Sequence, residues 1–449
     1  MEKEVLEYLE NKNYTALKKL FVDLNAADVA ALLEEMFGDK IEERELIILF
    51  RLLPKDLAAD CFAFLDSDTQ IHLISCFSDR ELQEVLEQTF VDDAVDMIEE
   101  MPANVVSRIL KNADPETRNA INEILKYPCD SAGSIMTIEY VDLLRDMTVE
   151  EAFTRIRRTG VDKETIYTCY VKDENRHLIG LITVKTLLLS DKNDIIEDIM
   201  ETNLISVNTY EDREYVASVF EKYDFLAVPV VDGDNRLVGI VTIDDVIDVI
   251  QEENTEDIEK MAAILPTDKP YTKTGIFETW RKRIPWLLLL MISATFTGKI
   301  IGAYENALAG CMVLSTFIPM LMDTGGNAGG QSSVTIIRSL SLGDIEFSDL
   351  MSIIWKEIRV GLICGITLAA ANFVKLLIID SATIPVAAVV CSTLVITVVF
   401  AQLVGCSLPL IAKKVGFDPA VMASPFITTI VDALSLMVYF KIAQLFLHI

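Results

Sequence analysis

The sequence predicts a multidomain protein. An all-α, superhelical N-terminal part leads into a duplicated α/β module, a connecting helix, and an α-helical domain of five membrane spans. Three observations carry this reading. Charge is partitioned: residues 1–280 hold 60 of the 69 acids but only 28 of the 39 bases, whereas the rest is slightly basic. An apolar segment near residue 180 recurs 59 residues later. Long apolar runs dominate the chain after residue 283. The overall hydrophobic fraction of 51% therefore averages two parts built for different solvents.

Residues 1–130 read as short amphipathic helices. Apolar positions recur at helical spacing in Ala26–Glu35 and Pro54–Ala59, with Asp and Pro at the expected starts. The succession suggests a small superhelix. Its acid excess repels nucleic acid and anionic headgroups and attracts cations, so no nucleic-acid partner is expected. The eight cysteines (61, 76, 129, 169, 311, 364, 391, 406) show no CxxC or metal-ligand spacing, and there are three histidines (72, 177, 448). They read as small core residues. The opening MEKEVLEYLE lacks a basic-then-apolar signal pattern, which places the N-terminal half in the cytosol.

Residues 131–254 form a tandem repeat. His177–Val184 (HLIGLITV) returns as Arg236–Ile243 (RLVGIVTI), and Ser134-Ile-Met-Thr137 echoes Asp198-Ile-Met-Glu201. Each apolar strand ends in Thr and leads into a helix, 185–189 in one copy and 244–249 in the other. This resembles a pair of CBS domains, with Asp245 in the second copy where Thr186 stands in the first.

Hydropathy divides the C-terminal part into spans near Ile284–Tyr304, Ala307–Leu340, Ile353–Ile379, Ile384–Ala412 and Pro419–Leu447. Arg281-Lys-Arg283 precedes the first; Arg338, Lys356 and Arg359 flank the second connection; Lys413-Lys414 follow the fourth span. The connections at Glu305-Asn306 and Asp380–Thr383 carry no base. By the positive-inside rule this is a multi-pass protein of the cell membrane with the N-terminus cytosolic and the C-terminus outside. Within the second span, Phe317–Ser333 places a proline, a carboxylate, four glycines and two amides in an apolar setting. A polar, Gly-rich break at that depth must be buried against protein or line a water-filled path.

The order of parts, together with Pro319, Gly325-Gly-Asn-Ala-Gly329 and Gln331 in the second span and Asp418-Pro-Ala420, Pro425 and Asp432 in the fifth, resembles the MgtE magnesium channels over essentially the whole chain. The resemblance implies a homodimer in the lipid bilayer that conducts Mg²⁺ selectively and is gated by intracellular Mg²⁺. It also implies that residues 252–272 are a plug helix. The domains expected are 1–130 (acidic helical), 131–254 (CBS pair), 255–280 (plug helix and linker) and 281–449 (pore).

The residues support a pore directly. Mg²⁺ takes oxygen ligands in octahedral geometry and gives up its waters reluctantly, so one acid per subunit with carbonyls or hydroxyls suffices around a hydrated ion. Asp432 falls about 13 residues into the last span, near mid-membrane at about 1.5 Å per residue. Thr428, Thr429 and Ser435 share parts of its helical face, and they serve either the ion path or helix packing. The ion-path candidates are Asp432, Thr428, Thr429, Asn327, Gln331 and Asp323. Pro319, Gly325, Gly326, Gly329, Ser424 and Pro425 are candidates for shaping the pore. Gly325 and Gly329 also have the spacing of close helix contacts. The chain departs from the family at Ser424, where some members have Asn, and at Asp323, a second deep acid. Asp323 either adds charge to the pore, pairs internally or stays protonated.

A second constellation reads as a cytosolic Mg²⁺ sensor: Asp92, Asp93, Asp96 and Glu100; Asp212, Glu214 and Asp224; Asp245, Asp248, Glu253, Glu256 and Asp257. Like charges at helical spacing repel, and divalent ions would let such surfaces close. The other reading of any single acid is a solvated surface. CBS pairs elsewhere bind adenine nucleotides such as ATP through a carboxylate on the ribose, a role that Asp245 could take in competition with metal. The alternative to a channel is a CBS-regulated, ion-coupled divalent cation (Mg²⁺/Co²⁺) transporter, whose mark would be inverted repeats with paired broken helices, and no convincing inversion is present. No Ser/His/Asp set, P-loop lysine or metal-histidine motif points to an enzyme.

Overall fold

Short helices, several of them opened by side-chain caps, build the N-terminal part. They are α1 (Glu2–Glu10), α2 (Tyr14–Val22), α3 (Ala26–Met36), α4 (Glu43–Arg51), α5 (Lys55–Ala63), α6 (Ser67–Cys76), α7 (Asp79–Leu86), α8 (Val91–Glu99), α9 (Ala103–Asn112) and α10 (Pro115–Ile124). Asn13, Asp66 and Asp114 accept from backbone N–H groups of the first turns of α2, α6 and α10. Ser78 and Glu81 form a reciprocal capping box on α7, and Pro54 and Pro102 precede α5 and α9. In the computed structural model, the described residues are 1–38, 40–267, 271–272, 274–304, 311–422 and 424–447. They divide into two units, Met1–Ile250 and Gln251–Ile449.

The first unit continues into the duplicated module. One repeat is β1 (Tyr140–Leu144), α11 (Val149–Thr159), β2 (Thr165–Lys172), β3 (Leu178–Thr183) and α12 (Val184–Leu189). The other is the short α13 (Ile196–Ile199), β4 (Val207–Asn208), α14 (Arg213–Tyr223), β5 (Ala227–Val231), β6 (Leu237–Thr242) and α15 (Ile243–Met261). Both three-stranded sheets pair their first two strands parallel and their last two antiparallel. The repeats also exchange segments. Thr137 bridges to Ile240 and Leu181 to Glu201, so that Met136 lies over Gly239 and Met200 over Gly180. A Cβ at either glycine would fall 2.7 or 2.4 Å from the methionine sulfur, which explains why each Ile-Met segment is matched by a Gly in the other repeat's last strand. One apolar core joins α1–α10 to the second repeat through Val216, Phe220 and Val246.

The connecting helix differs from expectation. α15 runs without interruption from the strand-ending Thr242 to Met261, so the segment after the CBS pair is the distal half of the same helix and not an element of its own. It carries no proline or glycine to stop it earlier.

The second unit contains, among the described residues, five helices of 24 residues or more: α16 (Ile276–Ala303), α17 (Ile318–Ser341), α18 (Leu350–Ile378), α19 (Ile384–Val415) and α20 (Ser424–Leu447). By length and composition, Ile276–Ala303, Phe347–Ile378, Ile384–Val415 and Pro419–Leu447 can cross a membrane. The Gly-, Ser- and amide-rich α17 falls below that apolarity. Two boundaries are corrected. α16 starts before Arg281–Arg283 and takes these bases into its first turns, and regular helix in the second segment begins only at Ile318, after a 3₁₀ turn over Met312–Phe317. Residues 307–310 of the expected second span lie outside the described set.

Candidate functional site

The expected break at the glycine motif is an unbroken helix. α17 passes through Gly325–Gly330 because those glycines let neighbouring helices approach so closely that the backbone needs no other support. A Cβ on Gly325 would lie 2.8 Å from Thr397 of α19 and 2.9 Å from Val431 of α20. On Gly326 it would meet Thr428 at 2.9 Å, and on Gly329 it would meet Ile427 at 2.9 Å and the Ala401 carbonyl at 3.0 Å. Gly405 of α19 lies against the Gly329 carbonyl in the same way. Pro319 sits in the first turn of α17, where its missing N–H costs nothing.

With its small residues buried, α17 turns a polar stripe outward. Asp323, Asn327 and Gln331, spaced by four, are all exposed, and the line continues through Thr335 to Arg338. Asp432 projects from α20, and the carboxylate whose charge acts on it is Asp323. Asp432 Oδ1 is buried and has no hydrogen-bond partner. A buried carboxylate oxygen without a donor is costly unless a proton, a cation or water completes it.

The other membrane candidates separate. Thr428 packs on Gly326. Thr429 Oγ1 donates to the Pro425 carbonyl at 3.2 Å and lies 3.4 Å from Ser293 Oγ of α16, so it serves helix contacts. Pro425 stands in the first turn of α20, and Ser424 opens that helix, with its side chain outside the described set. Thr397 Oγ1 and Ser435 Oγ, buried beside Gly325, lack partners too, and they border a narrow groove lined by Phe400, Ala401 and Val431. Sequence reasoning missed Thr397; its only signal was a hydroxyl in an apolar run.

In the first unit, α8 brings Asp92, Asp93 and Asp96 toward Asp244 and Asp245 at the start of α15. Burial and then Asp93 push the Asp92 carboxyl up to about 7. Desolvation and then Asp92 push Asp245 up to about 7. Asp93 and Asp96 keep contact with solvent, yet surrounding protein and the charge of Asp245 raise them as well. Two acids not anticipated complete the cluster. Glu164 is pushed up to about 8 by burial and by Asp92, and its Oε2 is a buried atom without a partner. Glu139 accepts from the Val91 N–H at 3.1 Å and raises Asp92 and Asp93. The Thr242 hydroxyl lies within reach of both Asp244 and Asp245 but has one proton to give. No three His, Cys, Asp or Glu side chains among the described residues converge to hold a metal ion as they stand. This is a concentration of repelling, proton-holding carboxylates that would have to close to chelate.

The remaining sensor candidates stand elsewhere. Asp212 caps α14, accepting from the Glu214 N–H at 2.8 Å, and Asp224 ends that helix in a left-handed conformation (φ 54°), so both have structural work. Glu100 is exposed and accepts from Ser67 Oγ. Asp248 lies one turn beyond Asp244, and burial raises its pKa. Glu253, Glu256 and Asp257 occupy the distal turns of α15, where Glu256 pairs with Lys260.

Comparison with known proteins adds the following. Residues 318–442 match the profile of a divalent cation transporter family (MgtE), residues 24–130 that of the MgtE intracellular N domain, and residues 132–192 and 196–252 that of CBS domains. The chain is 36% identical to a magnesium transporter MgtE of Thermus thermophilus over 447 residues, covering 98% of this chain and 97% of the relative. It is 32% identical to a magnesium transporter MgtE of Bacillus subtilis over 428 residues, covering 91% and 93%. A crystal structure of the cytosolic domain of the Mg²⁺ channel MgtE in complex with ATP is 34% identical, with a TM-score of 0.52, and covers 56% of this chain and 100% of its own.

Proposed function

Because the chain belongs to the MgtE family of magnesium transporters, we propose that it is a Mg²⁺-selective channel, a homodimer in the cell membrane that closes when intracellular Mg²⁺ rises. The observation that carries the reading is the pairing of the polar stripe of α17 with Asp432, whose buried Oδ1 has no hydrogen-bond partner. Lipid cannot solvate Asp323, Asn327 and Gln331, so the stripe needs water or a second copy of the chain opposite it. Asp432 and Asp323 then supply negative charge to a wet path, and a hydrated Mg²⁺ needs little more. With five spans and the positive-inside distribution of Arg and Lys, the proposed topology has the N-terminus in the cytosol and the C-terminus outside.

The acid cluster fits the sensor. Each bound Mg²⁺ would displace protons from Asp92, Asp96, Asp245 and Glu164 and allow the crowded carboxylates to close, which favours the shut state. The distal half of α15 is the element that carries this change to the pore. The cytosolic-domain relative was crystallised with ATP, and an adenine nucleotide at the CBS pair, with Asp245 at the ribose, is part of the proposal. The alternative is ion-coupled transport without channel-type permeation, which would need a counter-ion gradient.

Mg²⁺ flux into liposomes holding wild type or Asp432→Ala, with Mg²⁺ varied on the cytosolic face, tests the reading. A large loss of flux in the variant and closure of the wild type at millimolar Mg²⁺ are expected. Unimpaired flux in the variant removes the pore assignment, and flux that requires a Na⁺ or H⁺ gradient favours coupled transport.

A further inference from the structure

The distal turns of α15 carry a cation that the gating scheme above does not use. Lys260 Nζ stands 2.5 Å from Glu256 Oε1, one turn back, and 2.7 Å from Asp418 Oδ2 in the connection between α19 and α20. The three side chains are shielded to similar degrees, 24, 33 and 35% exposed. Burial opposes the charge on Lys260, but Asp418 and Glu256 outweigh it and hold its pKa above the ordinary lysine value, so it is a cation throughout the physiological range.

Other contacts bring the same stretch of chain onto the same end of the bundle. Met261 packs with Ile337 and Ala420, and Arg338, the last residue of the polar stripe, donates to Asn254 Oδ1 at 3.1 Å. Lys282 Nζ donates to the Pro266 carbonyl at 2.6 Å. Glu256 and Asp418, on separate elements, would repel each other without a positive charge between them.

We propose that Lys260 is a positioning residue for the gate, its ammonium group standing where a divalent ion could bridge Glu256 and Asp418 and holding the end of α15 on the membrane unit when no metal is bound. The proposal rests on the gating reading and adds to it a resident cation that sets a basal closed population. Metal-driven closure then builds on a contact that is already made. A partly shielded ion pair contributes on the order of 1 kcal/mol, about a fivefold bias in the open–closed equilibrium.

The test uses the full chain in liposomes. Lys260→Met, which keeps the aliphatic stem, is expected to raise the half-inhibiting internal Mg²⁺ by about three- to tenfold, and Lys260→Arg to leave it near wild type. Asp418→Asn should act in the same direction, and the double variant Lys260→Met/Asp418→Asn should go no further than the larger single. An unchanged value for Lys260→Met, or additive shifts, overturns the proposal. A second readout does not depend on gating: oxidative cross-linking of Met261→Cys with Ala420→Cys in EDTA should form readily and should fall when Lys260→Met is added. Cross-linking that ignores Lys260→Met overturns the proposal by itself. Wild-type flux that ignores internal Mg²⁺ would instead remove the gating reading, and the cross-link would still decide whether Lys260 holds the contact.

Discussion

Asp92→Asn should stabilise the metal-free first unit, an unusual direction for a change at a buried side chain. Asp92 is 6% exposed, and burial with the neighbouring Asp93 raises its carboxyl from 3.8 to about 7. The folded unit therefore holds this proton more tightly than the unfolded chain does. The associated stability is fully present below about pH 4 and is lost as pH rises through 7. At about 1.36 kcal/mol per unit of pKa, the loss is at most about 4 kcal/mol, and sharing among Asp93, Asp245 and Glu139 makes about 2 kcal/mol a reasonable expectation. Asn keeps the oxygen that accepts from the Asp93 N–H at 3.0 Å and removes the charge. In a fragment of residues 1–261 with EDTA, the wild-type melting temperature should fall between pH 5.5 and 8. Asp92→Asn should flatten that fall and melt about 4–8 °C higher at pH 8. Added Mg²⁺ should stabilise wild type much more than the variant, because the ion replaces protons the variant no longer exchanges. A wild-type melting temperature independent of pH, or a variant less stable than wild type at pH 8 without metal, would refute the reasoning.

Three further outcomes are expected. Asp323→Asn should lower Mg²⁺ flux severalfold with normal protein yield, as read by radiotracer or dye uptake, since the exposed carboxylate, whose charge reaches Asp432, contributes field and not packing. Gly405→Ala forces a methyl onto the Gly329 carbonyl and should cost about 1–3 kcal/mol, seen as a lower melting temperature in detergent and reduced flux. Asp245→Asn should weaken both adenine-nucleotide binding and Mg²⁺-dependent closure; calorimetric titration that finds nucleotide affinity unchanged would separate the two roles.

Periodicity was the readable part of the chain. The Ile-Met echoes and the paired Leu-x-Gly-x-x-Thr strands announced two copies of one module, and the structure shows why both elements recur, each methionine resting on the other copy's glycine. The spacing of Asp323, Asn327 and Gln331 by four is in the sequence too, but it puts them on one face only because the segment stays helical where a break was expected. The glycines between them were harder. Gly has the same low helix propensity whether it breaks a helix or lets another press against it, and the unbroken α17 depends on α19 and α20 being there. Likewise nothing in the sequence separates a capping acid such as Asp212 from a crowded one such as Asp96 until their neighbours are known.

By itself, then, the sequence determined the division into an acidic part and an apolar part, the duplication, and the position of Asp432 deep in an apolar run. Those follow from composition and local spacing, which need no partners. Only the tertiary structure decided that Glu139 and Glu164 join Asp92, Asp93, Asp96, Asp244 and Asp245, that Thr429 turns to Ser293, and that Lys260 bridges Glu256 to Asp418. Electrostatic interaction depends on distance and burial, and residues 72 or 158 positions apart acquire either one only when the chain has folded.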